Sequence, residues 1–411
     1  MVSSDVLVIG GGVSGILAAI TSARKGEDTV ILEKADTLGK KLLATGNGRC
    51  NLMNLAEPIF YGNPEFARTV LGMAPVQELT DFWHSIGLFL RFDPDGRGYP
   101  CTFQASTVLD VLKTELRRNK VRIFLSRRAK ALIQNRDNTF CIEDQSGEKF
   151  TARRVIVSTG GMAQPRLGGN DDAWEWLRKI GHSFIPPVPA LTPLITDKKS
   201  ISGLAGIRVK CQITLFTEGA EIHRERGELL FTENGISGIC VMQCARFVRG
   251  EHCEARICLF PDLFDEQSLF CELRNRQLRN PDGPPTELLQ GLCAPHISYA
   301  VCKQAGLSVK GENTGDLTEL QLRQIVTTAL NYRVQILRRE GFERAQVMAG
   351  GLDCREINPS NMESYLSPGL HVTGEFLDVD GDCGGFNLMF ACMSGLRAGD
   401  NQEERSVYVK R

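Results

Sequence analysis

The chain has 411 residues, enough for two or three domains of roughly 150 residues each. Hydrophobic residues make up 42% and charged residues 24%, which excludes wholesale disorder. The net charge is -1, so no global basic field exists to hold nucleic acid or an anionic membrane. No apolar run approaches the ~18 residues of a membrane-spanning helix. The first strand-like run starts at Asp5, which leaves no room for a signal peptide, and a cytoplasmic protein is expected. There are 14 cysteines but no Cys-x-x-Cys; the pairs Cys240/Cys244 and Cys253/Cys258 have no metal-site spacing. These thiols read as small buried hydrophobes in a reducing compartment, and no metal is expected.

Asp5–Ile9 is an apolar run of the kind that forms a buried parallel strand. Gly10-Gly11-Gly12-Val13-Ser14-Gly15 follows, and the chain continues at helical spacing to about Arg24, with Gly26 as a stop. Thr29–Leu32 is a second strand, ending in Glu33. Gly10 permits the tight turn, Gly12 admits a pyrophosphate close to the backbone, and Gly15 lets the helix pack on the sheet. The helix start offers N–H groups and partial positive charge to phosphates. Glu33 stands where a carboxylate accepts both hydroxyls of an unphosphorylated adenosine ribose. FAD or NAD fits this unit equally.

Three later segments favour the flavin. Lys40, Lys41, Thr45, Gly46, Asn47, Gly48, Arg49, Cys50 and Asn51 form a cationic, glycine-rich stretch able to wrap a pyrophosphate. Val155–Val157 is an apolar strand ending in Ser158, Thr159, Gly160 and Gly161. Leu370–Thr373 leads into Gly374, Glu375 and Asp378, then Gly384, Gly385, Phe386, Asn387, Leu388 and a helix to about Ala398. An acidic residue here could bind ribityl hydroxyls, and the helix start could stabilise negative charge at the flavin N1/O2 edge.

Pro186-Pro187-Val188-Pro189 marks an extended crossover. Short β-like runs follow, Arg208–Phe216 being the clearest, with Glu218-Gly219 as its turn. From Asp262 to about Gly341 the pattern is helical, with Leu317–Ile325 amphipathic. The expected fold is α/β: a Rossmann-like FAD-binding domain split in sequence, with an inserted β-rich, barrel-like domain and a helical subdomain. The boundaries are 1–190 for the first part of the FAD domain, 191–260 for the β-rich insert and 261–343 for the helical subdomain. Residues 344–356 form a return strand of the insert, and 357–411 complete the FAD domain. A cavity between insert and flavin is where a substrate would be expected.

The chain resembles the BaiN/YhiN-type flavoproteins, also called aminoacetone-oxidase-like FAD proteins. The resemblance rests on Gly10–Gly15, Gly46–Asn51, Gly96–Pro100, Gly227–Thr232, Ala349–Gly351, Glu356–Pro359, Met362–Ser364 and Gly374–Gly381, in the expected order along nearly the whole chain. It implies FAD held by the two ends together, and adds Val13, Ser14, Lys34 and Ala131 to the cofactor contacts. It also implies reduction of a carbon–carbon double bond conjugated to a carbonyl, in an oxo-steroid or bile-acid enone. Uracil reduction in ribosomal RNA is a second activity associated with the family. Oxidation of a small amine is a third reading.

No second Gly-x-Gly-x-x-Gly follows a strand, so NADH or NADPH would reach the flavin without a nicotinamide domain of its own. The expected substrate is an apolar small molecule. RNA would need local cations such as Arg274/Arg276/Arg279 or Arg338/Arg339, for which solvated helix faces are the favoured reading. Two residues are candidates for the chemistry. Cys50 is either a proton donor or a packed thiol, and Tyr99 either polarises a carbonyl or packs as an aromatic. After Leu230-Phe231-Thr232 the family usually carries a histidine and an aromatic; here Glu233-Asn234 stand instead, and Ile239 replaces a proline, which bears on substrate specificity.

Overall fold

The computed structural model describes residues 1–135, 137–248, 252–308 and 311–400. Residues 401–411, at the end of the expected second FAD segment, lie outside them. The chain divides into two units, Met1–Val188 with Val347–Arg411, and Pro189–Gln346.

The first unit is built on a mixed sheet, parallel except for the hairpin of Ala129–Gln134 and Phe140–Asp144. Its strands are β1 (Val2–Ile9), β2 (Thr29–Leu32), β3 (Arg122–Phe124), β4 (Ala129–Gln134), β5 (Phe140–Asp144), β6 (Lys149–Val157) and β7 (Leu370–Val372). The path runs β3-β2-β1-β6-β5-β4, and β7 also pairs with β6. The amino-terminal half of β6 pairs antiparallel with β5, and its last three residues pair parallel with β7. The sheet is therefore completed by a strand that arrives more than 200 residues later in the chain. Val6–Val8 and Val155–Val157 are fully buried, as expected of strands covered on both faces.

Helix α1 (Val13–Arg24) crosses from β1 to β2, with Lys25 and the left-handed Gly26 ending it. The final helix, Phe386–Asp400, packs along α1 through glycines. A methyl group on Gly395 would collide with the Ser14 carbonyl, and one on Gly399 would sit 2.5 Å from the Ala18 carbonyl oxygen.

The second unit contains a closed barrel of six strands: Leu194–Thr196, Gly235–Ser237, Ala220–Phe231, Arg208–Thr217, Cys253–Cys258 and Tyr332–Arg339, in that spatial order. Glu218 and Gly219 both take positive φ, 51° and 82°, which forms the tight hairpin between the two longest strands. Helices Glu266–Arg279, Pro295–Gln304 and Glu319–Leu330 accompany the barrel; the last is held by a Thr318/Gln321 capping box.

Two boundaries differ from the expectation. Tyr332–Arg339, expected within the helical subdomain, is the strand that closes the barrel against Cys253–Cys258 and Leu194–Thr196. Its alternating burial, with Tyr332, Val334 and Ile336 inside, is the two-residue period of a strand. Val347–Leu352, expected as a return strand of the insert, belongs to the first unit and pairs with Phe184–Ala190. All six of its residues are buried, and a side chain on Gly350 would sit 2.5 Å from the Pro186 carbonyl oxygen.

Candidate active site

The site is assembled at the carboxyl ends of β1, β2, β6 and β7. Gly10 has φ 109°, and a methyl group there would collide with the Ser158 carbonyl at the end of β6. One on Gly15 would collide with the Gly10 carbonyl. Both positions need glycine because the turn, the helix and β6 pass so close. At Gly12, by contrast, a side chain would meet nothing within 4 Å. Helix α1 has no side-chain cap and no acidic residue in its first turn, and its first internal bond runs from the Ile16 N–H to the Gly12 carbonyl. The N–H groups of Val13, Ser14 and Gly15 precede that bond, so the helix supplies them no acceptor. The open face at Gly12 and these donors form a cradle for a phosphate.

Glu33 sits at the end of β2. Its carboxylate accepts from the Gly11 N–H at 2.6 Å and the Ala35 N–H at 2.7 Å, which fixes it beside the glycine turn. Lys34 reaches Asp172 at 3.8 Å; burial is the main cause holding its ammonium below the ordinary lysine range. Ala131 lies half-buried on β4, next to the Lys130 carbonyl that accepts from Trp176 Nε1 at 2.7 Å.

Lys40 and Lys41 open a short helix that runs to Ala44, and Thr45–Gly48 continue as a tight turn with left-handed Gly46, Asn47 and Gly48. Lys40 pairs with Asp36 at 2.8 Å. Lys41 is ion-paired with Glu375, whose other oxygen accepts from the Met348 N–H at 2.9 Å. Glu375, one of the two carboxylates of the segment expected near the ribityl chain, thus ties the early loop to the late segment. Arg49 is exposed, whereas Cys50 is fully buried and its thiol is pushed up to about 12 by desolvation. Of the two readings for Cys50, the packed thiol is the one its burial supports.

Thr159, Gly160 and Gly161 leave β6 toward the same place. The Ser158 and Thr373 hydroxyls share a hydrogen bond of 2.7 Å, which joins the ends of β6 and β7. A side chain on Gly160 would meet nothing within 4 Å, and one on Gly161 would lie 3.1 Å from the Glu375 side chain. A methyl on Gly374 would sit 2.8 Å from Ser14 Oγ, so the late segment reaches the start of α1. Asp378 accepts at its carbonyl from the Asn63 N–H at 3.1 Å.

At the final helix, a methyl on Gly385 would lie 2.7 Å from Asn51 Oδ1. The first internal bond of this helix runs from the Met389 N–H to the Gly385 carbonyl, so the N–H groups of Phe386, Asn387 and Leu388 precede it. The Asn387 side chain, expected on the cofactor, instead clasps Gly381, with 2.8 Å bonds to its N–H and its carbonyl.

FAD fits these residues. Asn51 Oδ1 and Thr159 Oγ1 are buried and have no hydrogen-bond partner, at the two places where expected cofactor segments meet. Orphaned buried acceptors of this kind are satisfied by a polar ligand. The open space at Gly12 and Gly160, with the first N–H groups of α1 and of the final helix, supplies the remaining contacts.

Sequence reasoning passed over Asn54, whose Nδ2 donates to the Gly384 carbonyl at 2.9 Å. It also passed over the glycines of the final helix; the spacing Gly395-x-x-x-Gly399 was the available signal. In the second unit, Glu233 and Asn234 are exposed at a turn between barrel strands, and Ile239 opens a short helix. Arg276, one of the candidate RNA-facing cations, donates to the Leu288 and Gln290 carbonyls at 3.2 and 2.6 Å and is spent on helix packing. All 14 cysteines are free, and no metal-binding cluster occurs among the described residues. No helix among the described residues is long and apolar enough to cross a membrane.

The fold and the site together define a Rossmann-type, FAD-dependent oxidoreductase. A family model described as "HI0933-like protein Rossmann domain" matches residues 4–401, and the chain belongs to that family. It is 36% identical over 411 residues to a 3-dehydro-bile acid delta(4,6)-reductase of Clostridium scindens, covering 97% of this chain and 98% of the relative. It is 28% identical to a ribosomal RNA dihydrouridine synthase of Escherichia coli, covering 95% and 96%. Among solved structures, a 3-ketosteroid-delta4-(5alpha)-dehydrogenase from Rhodococcus jostii shares the fold, with TM-score 0.51, 17% identity and coverage of 97% and 96%.

Proposed function

We propose that this protein is a cytoplasmic FAD-dependent reductase of a carbon–carbon double bond conjugated to a carbonyl. The best candidate substrate is a 3-oxo steroid or bile-acid enone, with NADH or NADPH as the electron source. The observation that carries the reading is the 36% identity, over almost the full length of both chains, to a protein named for this reaction. The exposed ring of Phe103, packed on Tyr99 beside the flavin loop, suits an apolar substrate.

Residues of the chain divide the work as follows. The N–H groups at the start of α1 and the open face at Gly12 hold the pyrophosphate, and Glu33 faces the adenosine ribose. Asn51, Thr159 and the start of the final helix hold the flavin end. Bound and reduced, the cofactor supplies a hydride. The substrate gains that hydride at the β-carbon and a proton from solvent at the α-carbon, and the two electrons come from the nicotinamide.

The E. coli relative makes uracil in ribosomal RNA a defined competitor, because C5=C6 of uracil is also conjugated to a carbonyl. The test is anaerobic. The bound flavin is reduced, then mixed with a 3-oxo-4-ene bile acid, with uracil-containing ribosomal RNA, or with buffer. Fast reoxidation by the enone alone is expected. Reoxidation by RNA alone would move the protein to the synthase reading. Bleaching of the oxidised flavin by a small amine, with reoxidation only by dioxygen, would make it an oxidase.

A further inference from the structure

A small three-stranded sheet in the first unit carries a face directed at the flavin loop. Its central strand, Arg97–Pro100, lies between Met53–Asn54 and Leu90–Phe92. Gly98 opposes Met53 and Phe92, and a methyl on Gly98 would lie 2.9 Å from each of those side chains. Strand alternation therefore puts Arg97 and Tyr99 on the other face, with their cross-strand partners Asn54 and Arg91. Asn54 on this face bonds the Gly384 carbonyl, just before the final helix. Tyr99 Cε1 lies 3.7 Å from where a Gly46 side chain would begin, and the Asn51 N–H lies 3.1 Å from the same point. Tyr99 thus flanks the turn whose Asn51 offers an orphaned oxygen at Gly385.

Phe103 holds the phenol ring in place. The two rings are 5.6 Å apart at 37°. Phe103 has φ 53°, a left-handed conformation that an aromatic residue seldom adopts. Its N–H donates to the Pro100 carbonyl at 2.8 Å, which closes the turn that presents the ring. Among the described residues, the Tyr99 hydroxyl has no hydrogen-bond partner.

We propose that Tyr99 donates a hydrogen bond to the carbonyl oxygen of the substrate and that Phe103 is the apolar wall beside it. This rests on the enone-reductase reading. A donor at that oxygen draws electron density from the conjugated double bond and stabilises the charge that forms there as hydride arrives. The phenolic proton stays on Tyr99. The π bond breaks, the β-carbon gains hydride and the α-carbon gains a solvent proton.

The test compares the holoenzyme with its Tyr99→Phe variant, which keeps the ring. Calorimetric titration with a saturated 3-oxo bile acid and its 3-deoxy counterpart measures whether the oxygen is recognised. The wild type is expected to prefer the 3-oxo ligand by about tenfold, the worth of one hydrogen bond, and Tyr99→Phe to lose that preference. Reoxidation of its reduced flavin by the enone is expected to slow at least ~10-fold. The Phe103→Asn variant, in which asparagine tolerates the left-handed backbone, is expected to weaken both ligands alike. A Tyr99→Phe enzyme that keeps both the preference and the rate overturns the role of Tyr99. Equal affinities in Phe103→Asn remove the wall. A wild type that reduces no enone overturns the functional reading and this inference together, whereas reduction unaffected by Tyr99→Phe overturns this inference alone.

Discussion

Glycine does different work at neighbouring positions of one turn. At Gly10 the absent side chain avoids the Ser158 carbonyl, whereas at Gly12 it leaves room for a ligand. Gly10→Ala combines a collision with a positive φ, so it is expected to destabilise by more than ~2 kcal/mol and to shed FAD. Thermal unfolding and the flavin-to-protein absorbance ratio check this. Gly12→Ala meets nothing in the protein, so its loss of flavin is expected with almost no change in the stability of the apoprotein.

Cys50 yields a second expectation at this scale. A buried thiol pushed up to about 12 stays protonated at neutral pH. Native alkylation with iodoacetamide at pH 8, read by mass spectrometry, should label the exposed Cys101 and Cys271 and spare Cys50. Local spacing made the glycine turn and Glu33 legible in the sequence. The partnership of Lys41 with Glu375 and the clasp of Asn387 on Gly381 were not, because each depends on which polar group happens to stand opposite once the chain is folded.

Among the elements, the contact between α1 and the final helix decides whether the two chain ends meet. Gly395 and Gly399 let the final helix ride against Ser14, Ala18 and Thr21 of α1. Gly395→Val is expected to push the helices apart and cost ~3 kcal/mol or more, lowering both the melting temperature and flavin retention. The first strand, helix and second strand could be read from hydrophobic period and glycine punctuation alone. Tyr332–Arg339 could not be separated from the helix it directly follows, because its alternation of Tyr332, Val334 and Ile336 with Arg333 and Gln335 is short and breaks off at the exposed, apolar Leu337.

For the whole molecule, acid acts on stability through a buried histidine. His371 on β7 is fully buried, and its Nδ1 faces the Asn361 carbonyl at 2.9 Å. Burial, followed by the nearby Arg154 charge, lowers its pKa to about 4 from the model-peptide value of 6.5. The unfolded chain therefore takes up a proton first. The contribution is intact above pH 6.5 and is lost progressively as pH falls toward 4, amounting to about 3 kcal/mol. Denaturant unfolding across this window should show the decline, and His371→Asn should flatten it. A slope unchanged by that substitution would place the acid sensitivity elsewhere.

The order in which the parts leave the ribosome follows from the position of β7 and the final helix. The unit that begins the chain is also the last to be complete, whereas the barrel unit has its entire sequence available beforehand. At ~5–20 residues per second the early strands wait roughly 10–40 s for their missing edge. During that interval the end of β6 is paired with β1 on one edge and open on the other, and the cleft for the nucleotide has only one wall. Colour therefore arrives only after the final helix has been made, and a ribosome stalled before residue 370 should hold a finished barrel and a colourless remainder.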